Sequence, residues 1–166
     1  MLNIRRILHP TDTSANARHA FEVACDFAER YNARLIVLGV VARPRIGEFV
    51  GFPSEIADVC KGMQQALDAI QPAGGANISI ERRVIEGNSV AGEIVRVAEE
   101  EHCDLIVMGT HARTGIERLA FGSVAEEVAH NASCPVIPIR DASRLLSPPG
   151  SSYDQRESNG CTSGMR

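Results

Sequence analysis

Between Asp104 and Glu127 the chain reads DLIVMGTHARTGIERLAFGSVAEE. An apolar run breaks at Gly109, passes through a loop containing Gly115, and reaches Gly122-Ser123 at the start of an apolar-periodic segment. Glycines let a backbone approach a ligand closely, and the first amides of a helix have no partner within it. Residue types in this order can hold an anion such as a phosphate. Lys61 is the sole lysine, so an arginine is the expected charge partner, and Arg113 stands in the loop. A guanidinium also has the better fork for phosphate oxygens. A second polar cluster, Pro10-Thr11-Asp12-Thr13-Ser14, follows the first apolar run. Its residues are helix-capping types, and Asp12 reads equally as a cap and as an acceptor for a ligand's hydroxyl or amino groups.

Other chemistries find little support. The sequence has no G-x-G-x-x-G after the first apolar run, no G-x-x-x-x-G-K-[ST] and no G-x-S-x-G, so dinucleotide, P-loop and hydrolase signatures are absent. Cys25, Cys60, Cys103, Cys134 and Cys161 are scattered and contain no C-x-x-C pair, which suits reduced thiols and excludes a visible zinc signature. His111 reads as a solvated loop residue or a hydrogen-bond donor to phosphate, and His9 as a structural residue at a strand end. No nucleophile–base pair or paired carboxylates stand near the loop, so no catalytic residue is assigned. The chain is read as a binder rather than an enzyme.

The elements that must position these residues follow from periodicity. Ile4 to His9 reads as a first strand ended by Pro10, and a helix from the capping cluster to about Tyr31 carries Ala17, Ala20, Phe21, Ala24, Phe27, Ala28 and Tyr31 on one face. Arg34 to Val41 is apolar nearly throughout, as in a strand covered on both faces. A helix from Ser54 places Ile56, Val59, Cys60, Met63, Leu67 and Ile70 on one stripe and stops at Pro72-Ala73-Gly74-Gly75. Asn77 to Glu86 has the weaker pattern of an edge strand, and the next helix turns Val90, Ile94, Val97 and Ala98 inward. Asp104 to Met108 is the fourth strand. Ser123 and Glu126 have the spacing of a capping box for a helix carrying Val124 and Val128, and Val136 to Ile139 is the last strand, interrupted by Pro138.

This alternation defines an α/β fold: an open five-stranded parallel sheet with helices on both faces, expected strand order 3-2-1-4-5. Ligands of such sheets sit where the chain reverses direction, outside the carboxyl ends of the strands. Here that is the crevice between the loops Pro10–Ser14 and Gly109–Gly115. Residues 1–140 form the domain, and 141–166, rich in Ser, Gly and Pro without apolar periodicity, read as a disordered tail. An apolar fraction of 44% suffices for a core, a net charge of −4 argues against nucleic acid, and no run is long enough to span a membrane. With no secretory leader visible, the expectation is a cytoplasmic protein.

The assembled motifs resemble the universal stress protein family. Its nucleotide loop has the form G-x2-G-x9-G-[ST] after a strand ending in Met-Gly, and here Met108-Gly109-Thr110-His111-Ala112 is followed, at the same nine-residue spacing, by Gly122-Ser123-Val124. Pro10-Thr11-Asp12 matches the family's first loop and Cys134-Pro135-Val136 its closing strand. The resemblance covers roughly residues 1–140. It implies a cytoplasmic stress-response or regulatory protein that binds ATP or AMP, optionally with Mg²⁺, and forms a homodimer through Val136, Ile137, Pro138 and Ile139. By position, Pro10, Thr11, Asp12 and Val40 would hold the adenosine end. Gly109, Thr110, His111, Ala112, Arg113, Thr114, Gly115, Gly122, Ser123 and Val124 would surround the phosphates, and Met108 completes the binding residues at the end of the strand before them. Ala112 departs from the motif's second glycine. If that backbone needs φ > 0, alanine costs roughly 1 kcal/mol. The alternative is a dimeric interaction module of the same fold in which Ala112 disables the phosphate loop.

Overall fold

The computed structural model describes residues 3–43, 53–75, 77–110 and 122–140. His111, Ala112, Arg113, Thr114 and Gly115, and the segment 141–166 read as a tail, lie outside the described residues. The elements in chain order are β1 (Arg6–Pro10), α1 (Ala15–Tyr31), β2 (Arg34–Ala42), α2 (Pro53–Ala69), a 3-10 turn at Ala73–Gly75, β3 (Ile80–Gly87), α3 (Val90–Glu100), β4 (Leu105–Gly109), α4 (Ser123–Asn131) and β5 (Val136–Ile139). Every strand pairing is parallel and the order is β3-β2-β1-β4-β5, as the alternation of elements implies.

Successive strand residues point to opposite faces, and each set finds its own helices. Ile7, Leu35, Val37, Leu105 and Val107 pack with Phe21, Ala24, Cys25 and Ala28 of α1 and Leu67 of α2. Leu8, Ile36, Leu38, Ile106 and Met108 pack with Ala91, Ile94, Val97 and Ala98 of α3 and with Ala125 and Val128 of α4. The near-continuous apolar run of β2 is thereby explained: it lies inside the sheet with helices over both sides. β3, half-buried along most of its length, is an edge strand.

Several local expectations are corrected. Val59, placed on the inward stripe of α2, is 55% exposed, and Leu67 is the helix's fully buried anchor. α2 lies over β2 and the edge strand β3, so the sheet beneath it covers only part of the predicted stripe. Tyr31 closes the apolar face of α1 in the sequence but is 40% exposed, stacked on Phe27 at a ring separation of 6.3 Å. Pro10 does not follow β1 but is its last residue, in register with Leu38, a position where a proline costs the sheet a single donor.

The helix caps also differ. Ser14, not Asp12, caps α1, its hydroxyl accepting from the Ala17 amide at 3.3 Å. The N-cap of α4 is Gly122, so Ser123 sits inside the first turn and the capping box does not form. At the far end of α2, Arg82 takes the capping role, donating to the Leu67 and Ile70 carbonyls at 2.9 and 2.7 Å.

Candidate functional site

The site is assembled at the carboxyl ends of β2, β1 and β4, three adjacent strands. Pro10 shares a face with Leu8, Val40 with Leu38, and Met108 with Ile106, and all of these turn toward α3 and α4. Pro10 and Met108 are buried and Val40 half-buried, so the three present a short apolar wall across the strand ends. Val124, in the first turn of α4, packs into the same core. The structure thus brings Pro10, Val40, Met108 and Val124 to one side of the sheet, with Gly122 and exposed Ser123 beside Val124 in the chain.

The loop after β1 is wired by its own short side chains. The Thr11 amide donates to the Leu38 carbonyl at 2.9 Å, which carries the loop start along β2. The Thr13 amide donates to Thr11 Oγ1 at 3.1 Å, and the Ser14 amide to Asp12 Oδ1 at 3.0 Å. Between these bonds Thr13 adopts a left-handed φ of 62°, uncommon for a residue with a side chain. The result holds Asp12 exposed at the crevice with its carboxylate partly engaged by backbone.

Across the crevice, Gly109 ends β4 and Thr110 is already committed. Its amide and its hydroxyl both donate to the Ile139 carbonyl of β5, at 2.9 and 3.4 Å. At α4, glycine as the N-cap offers no side-chain oxygen to the first-turn amides. The Gly122 carbonyl does accept from the Glu126 amide at 3.0 Å, the ordinary start of the helical ladder. Amides without a side-chain cap at a helix start are where an anion binds.

One residue near the crevice exceeds its sequence reading. His9, expected to be structural, is the one buried polar side chain among the described residues, with Nδ1 2.8 Å from the Val107 carbonyl of β4. Burial holds its imidazole down at about 4, against the raising effects of that hydrogen bond and of the Asp12 charge. It is neutral at ordinary pH and is walled in, so it is no general base for a bound ligand. The signal available in the sequence was a histidine immediately before a proline inside an apolar strand. Burial also pushes the Cys25 and Cys103 thiols up to about 12, which leaves them unreactive. Among the described residues no group of three or more His, Cys, Asp or Glu side chains is placed to hold a metal ion. Two surface cavities, of about 370 and 280 Å³, lie away from the crevice. One is lined by Gln71, Pro72, Gly75, Ile78, Ile80 and Arg82, the other by residues that include Arg5, Asn32, Arg34 and Ser79 near the amino ends of the strands.

An open parallel α/β sheet whose strand order reverses between β1 and β4 defines a doubly wound fold. The universal stress protein family matches residues 3–140, and the chain belongs to that family. It is 37% identical over 143 residues to Universal stress protein MJ0531 of Methanocaldococcus jannaschii, covering 82% of each sequence. Among solved structures, the universal stress protein UspA from Lactobacillus plantarum superposes with a TM-score of 0.59 at 26% identity, over 83% of this chain and 99% of that one. The universal stress protein from Archaeoglobus fulgidus in complex with dAMP gives a TM-score of 0.58 at 22% identity, over 84% of this chain and 99% of that one. No helix among the described residues is long and apolar enough to cross a membrane.

Proposed function

We propose that this chain is a stress-response regulator that binds an adenine nucleotide, ATP or AMP, in the crevice between the loops after β1 and β4. The observation that carries the reading is the gathering of Pro10, Val40 and Met108 on one face of three neighbouring strand ends, with the glycine-capped start of α4 on the same side. An apolar wall next to a polar loop suits a base and its ribose, and a helix start without a side-chain cap suits phosphate. The dAMP complex of the Archaeoglobus fulgidus protein, which shares the fold, supports the class of ligand.

In this reading Pro10, Val40 and Met108 pack the base, and Thr11 and Asp12 meet the ribose, a hydroxyl and a carboxylate both being able to accept from its hydroxyl groups. Gly109 and Thr110 open the phosphate loop, His111, Ala112, Arg113, Thr114 and Gly115 continue it, and Gly122, Ser123 and Val124 close it with backbone amides and one hydroxyl. Mg²⁺ would enter with ATP and offset the phosphate charge. The protein works as a homodimer joined along β5.

Calorimetric titration with ATP and with AMP tests the reading. Wild type binds at least one of them, and Gly122→Val, which puts a branched side chain at the phosphate end, loses that binding. Ala112→Gly tightens affinity about fivefold if the alanine is held at positive φ, corresponding to roughly 1 kcal/mol. A wild type that binds neither nucleotide at millimolar concentration overturns the proposal and leaves the interaction module in its place.

A further inference from the structure

A parallel strand turns the N–H and C=O of alternate residues toward opposite neighbours. In β1 the Thr11 amide goes to Leu38 of β2, so the nitrogen of residue 10 faces β4. In β4 the Ile106 amide goes to the Pro135 carbonyl beside β5, and the Thr110 amide goes to Ile139. Val107 therefore turns its carbonyl toward β1. With Leu8 in register with Ile106, the donor the ladder would supply to that carbonyl is the nitrogen of residue 10. Residue 10 is proline and has no hydrogen to give.

The Val107 carbonyl is nonetheless satisfied, because His9 Nδ1 lies 2.8 Å from it in a fully buried position. A carbonyl can only accept, so Nδ1 carries the proton and Nε2 is a bare acceptor. Nε2 is buried and has no partner among the described residues, beside the Phe21 ring at a centroid distance of 5.8 Å. If the site needed only volume, an aromatic hydrocarbon would fill it without stranding a polar atom. The residue is explained by its other nitrogen.

We propose that His9 is a positioning residue for the crevice: its imidazole makes the β1–β4 bond that Pro10 cannot, and so fixes the separation of the strand ends at Pro10 and Met108, which form the ligand's apolar wall. The registered β1–β4 pairs are Ile7–Leu105 and Leu8–Ile106, and the His9 bond carries the contact one step further, to where the strands part. Pro10 adjoins His9 and Met108 adjoins Val107, so the bond sits between two residues of the apolar wall. Its effect on affinity rests on the nucleotide reading above, whereas the bond itself does not.

The test uses the full chain and four variants. His9→Phe keeps a ring and removes the donor. His9→Asn places an amide N–H near the position of Nδ1. The double variant His9→Phe/Pro10→Ala restores a backbone N–H at residue 10, and is compared with Pro10→Ala alone. Urea midpoints are measured for all, and ATP and AMP affinities for wild type and the two single His9 variants.

The expected result is a lowered midpoint and about tenfold weaker nucleotide binding in His9→Phe, as for a ligand wall displaced by a fraction of an ångström. Most of both losses return in His9→Asn. Pro10→Ala raises the midpoint more in the His9→Phe background than in wild type, because only there is the Val107 carbonyl waiting for a donor. Equal midpoints for His9→Phe and His9→Asn, or the same Pro10→Ala effect in both backgrounds, overturn the bond. A His9→Phe protein that is destabilised yet binds as tightly as wild type overturns the positioning role. If wild type binds neither nucleotide, the functional reading fails by itself and the midpoint cycle alone decides whether His9 replaces the ladder donor.

Discussion

At the scale of single residues, His9 makes the clearest commitment, because its charge state links folding to pH. Its folded value of about 4 lies below the ordinary 6.5, owing first to burial. The unfolded chain therefore takes up a proton that the folded chain refuses. The stability that accompanies neutral His9 is complete above 6.5 and is lost as pH falls from there toward about 4. In full the loss amounts to about 3 kcal/mol. Urea midpoints followed over this range fall for wild type and fall less steeply for His9→Phe, which has no proton to gain. Parallel slopes for the two proteins would show that another group drives the acid sensitivity. The lowered Glu81 carboxyl, held down chiefly by Arg83, acts in the same direction but only below its own ordinary value of 4.5.

At the scale of elements, caps and anchors separate residues that look alike in the sequence. Ser14 and Ser123 both precede apolar helical periodicity, yet only Ser14 accepts a capping bond. Ser14→Ala should cost about 1 kcal/mol of stability, and Ser123→Ala only a few tenths. On the nucleotide reading, Ser123→Ala shows itself in weaker ATP affinity instead. α2 offers a second pair: Leu67→Ala removes its buried anchor and should cost about 3 kcal/mol, whereas Val59→Ser, on the solvent side, should stay within about 0.5 kcal/mol. Chemical denaturation checks all four. The order and type of the elements were legible because period two and period 3.6 survive in the apolar residues, most clearly through Arg34–Val41. The inward stripe of α2 was misread because periodicity says which residues share a face, not how much sheet lies beneath them. The cap of α4 was misread because Gly122-Ser123 fits two backbone conformations equally well. Pro10, Val40 and Met108 could be matched to a motif, but their common face depends on register between strands, which no single segment contains.

At the scale of the whole molecule, the two outer strands decide what can be added to the sheet. In β5 the odd-numbered positions face β4: the Ile106 amide goes to Pro135 and the Thr110 amide to Ile139. Pro138, expected to interrupt the strand, therefore turns its nitrogen outward and takes nothing from the β4–β5 ladder, in which it is in register with Met108. A second copy docking along this edge meets the Val136 amide and then a position with no hydrogen. Pro138→Val supplies the missing donor and should strengthen self-association. Sedimentation equilibrium reads this as a dimer persisting at lower concentration than in wild type. An unchanged association constant would place any dimer contact elsewhere than on the β5 backbone.

The same proline has a consequence for chains that meet by accident. A sheet that ended in fully paired-ready edges could lengthen without limit, each molecule offering the next a template of alternating donors and acceptors. Here one margin carries Pro138 and the other, β3, carries Glu81, Arg82, Arg83 and Glu86. One edge lacks a hydrogen and the other would have to bury charge. Strand-on-strand growth into fibres is therefore discouraged from both ends, by two different kinds of chemistry.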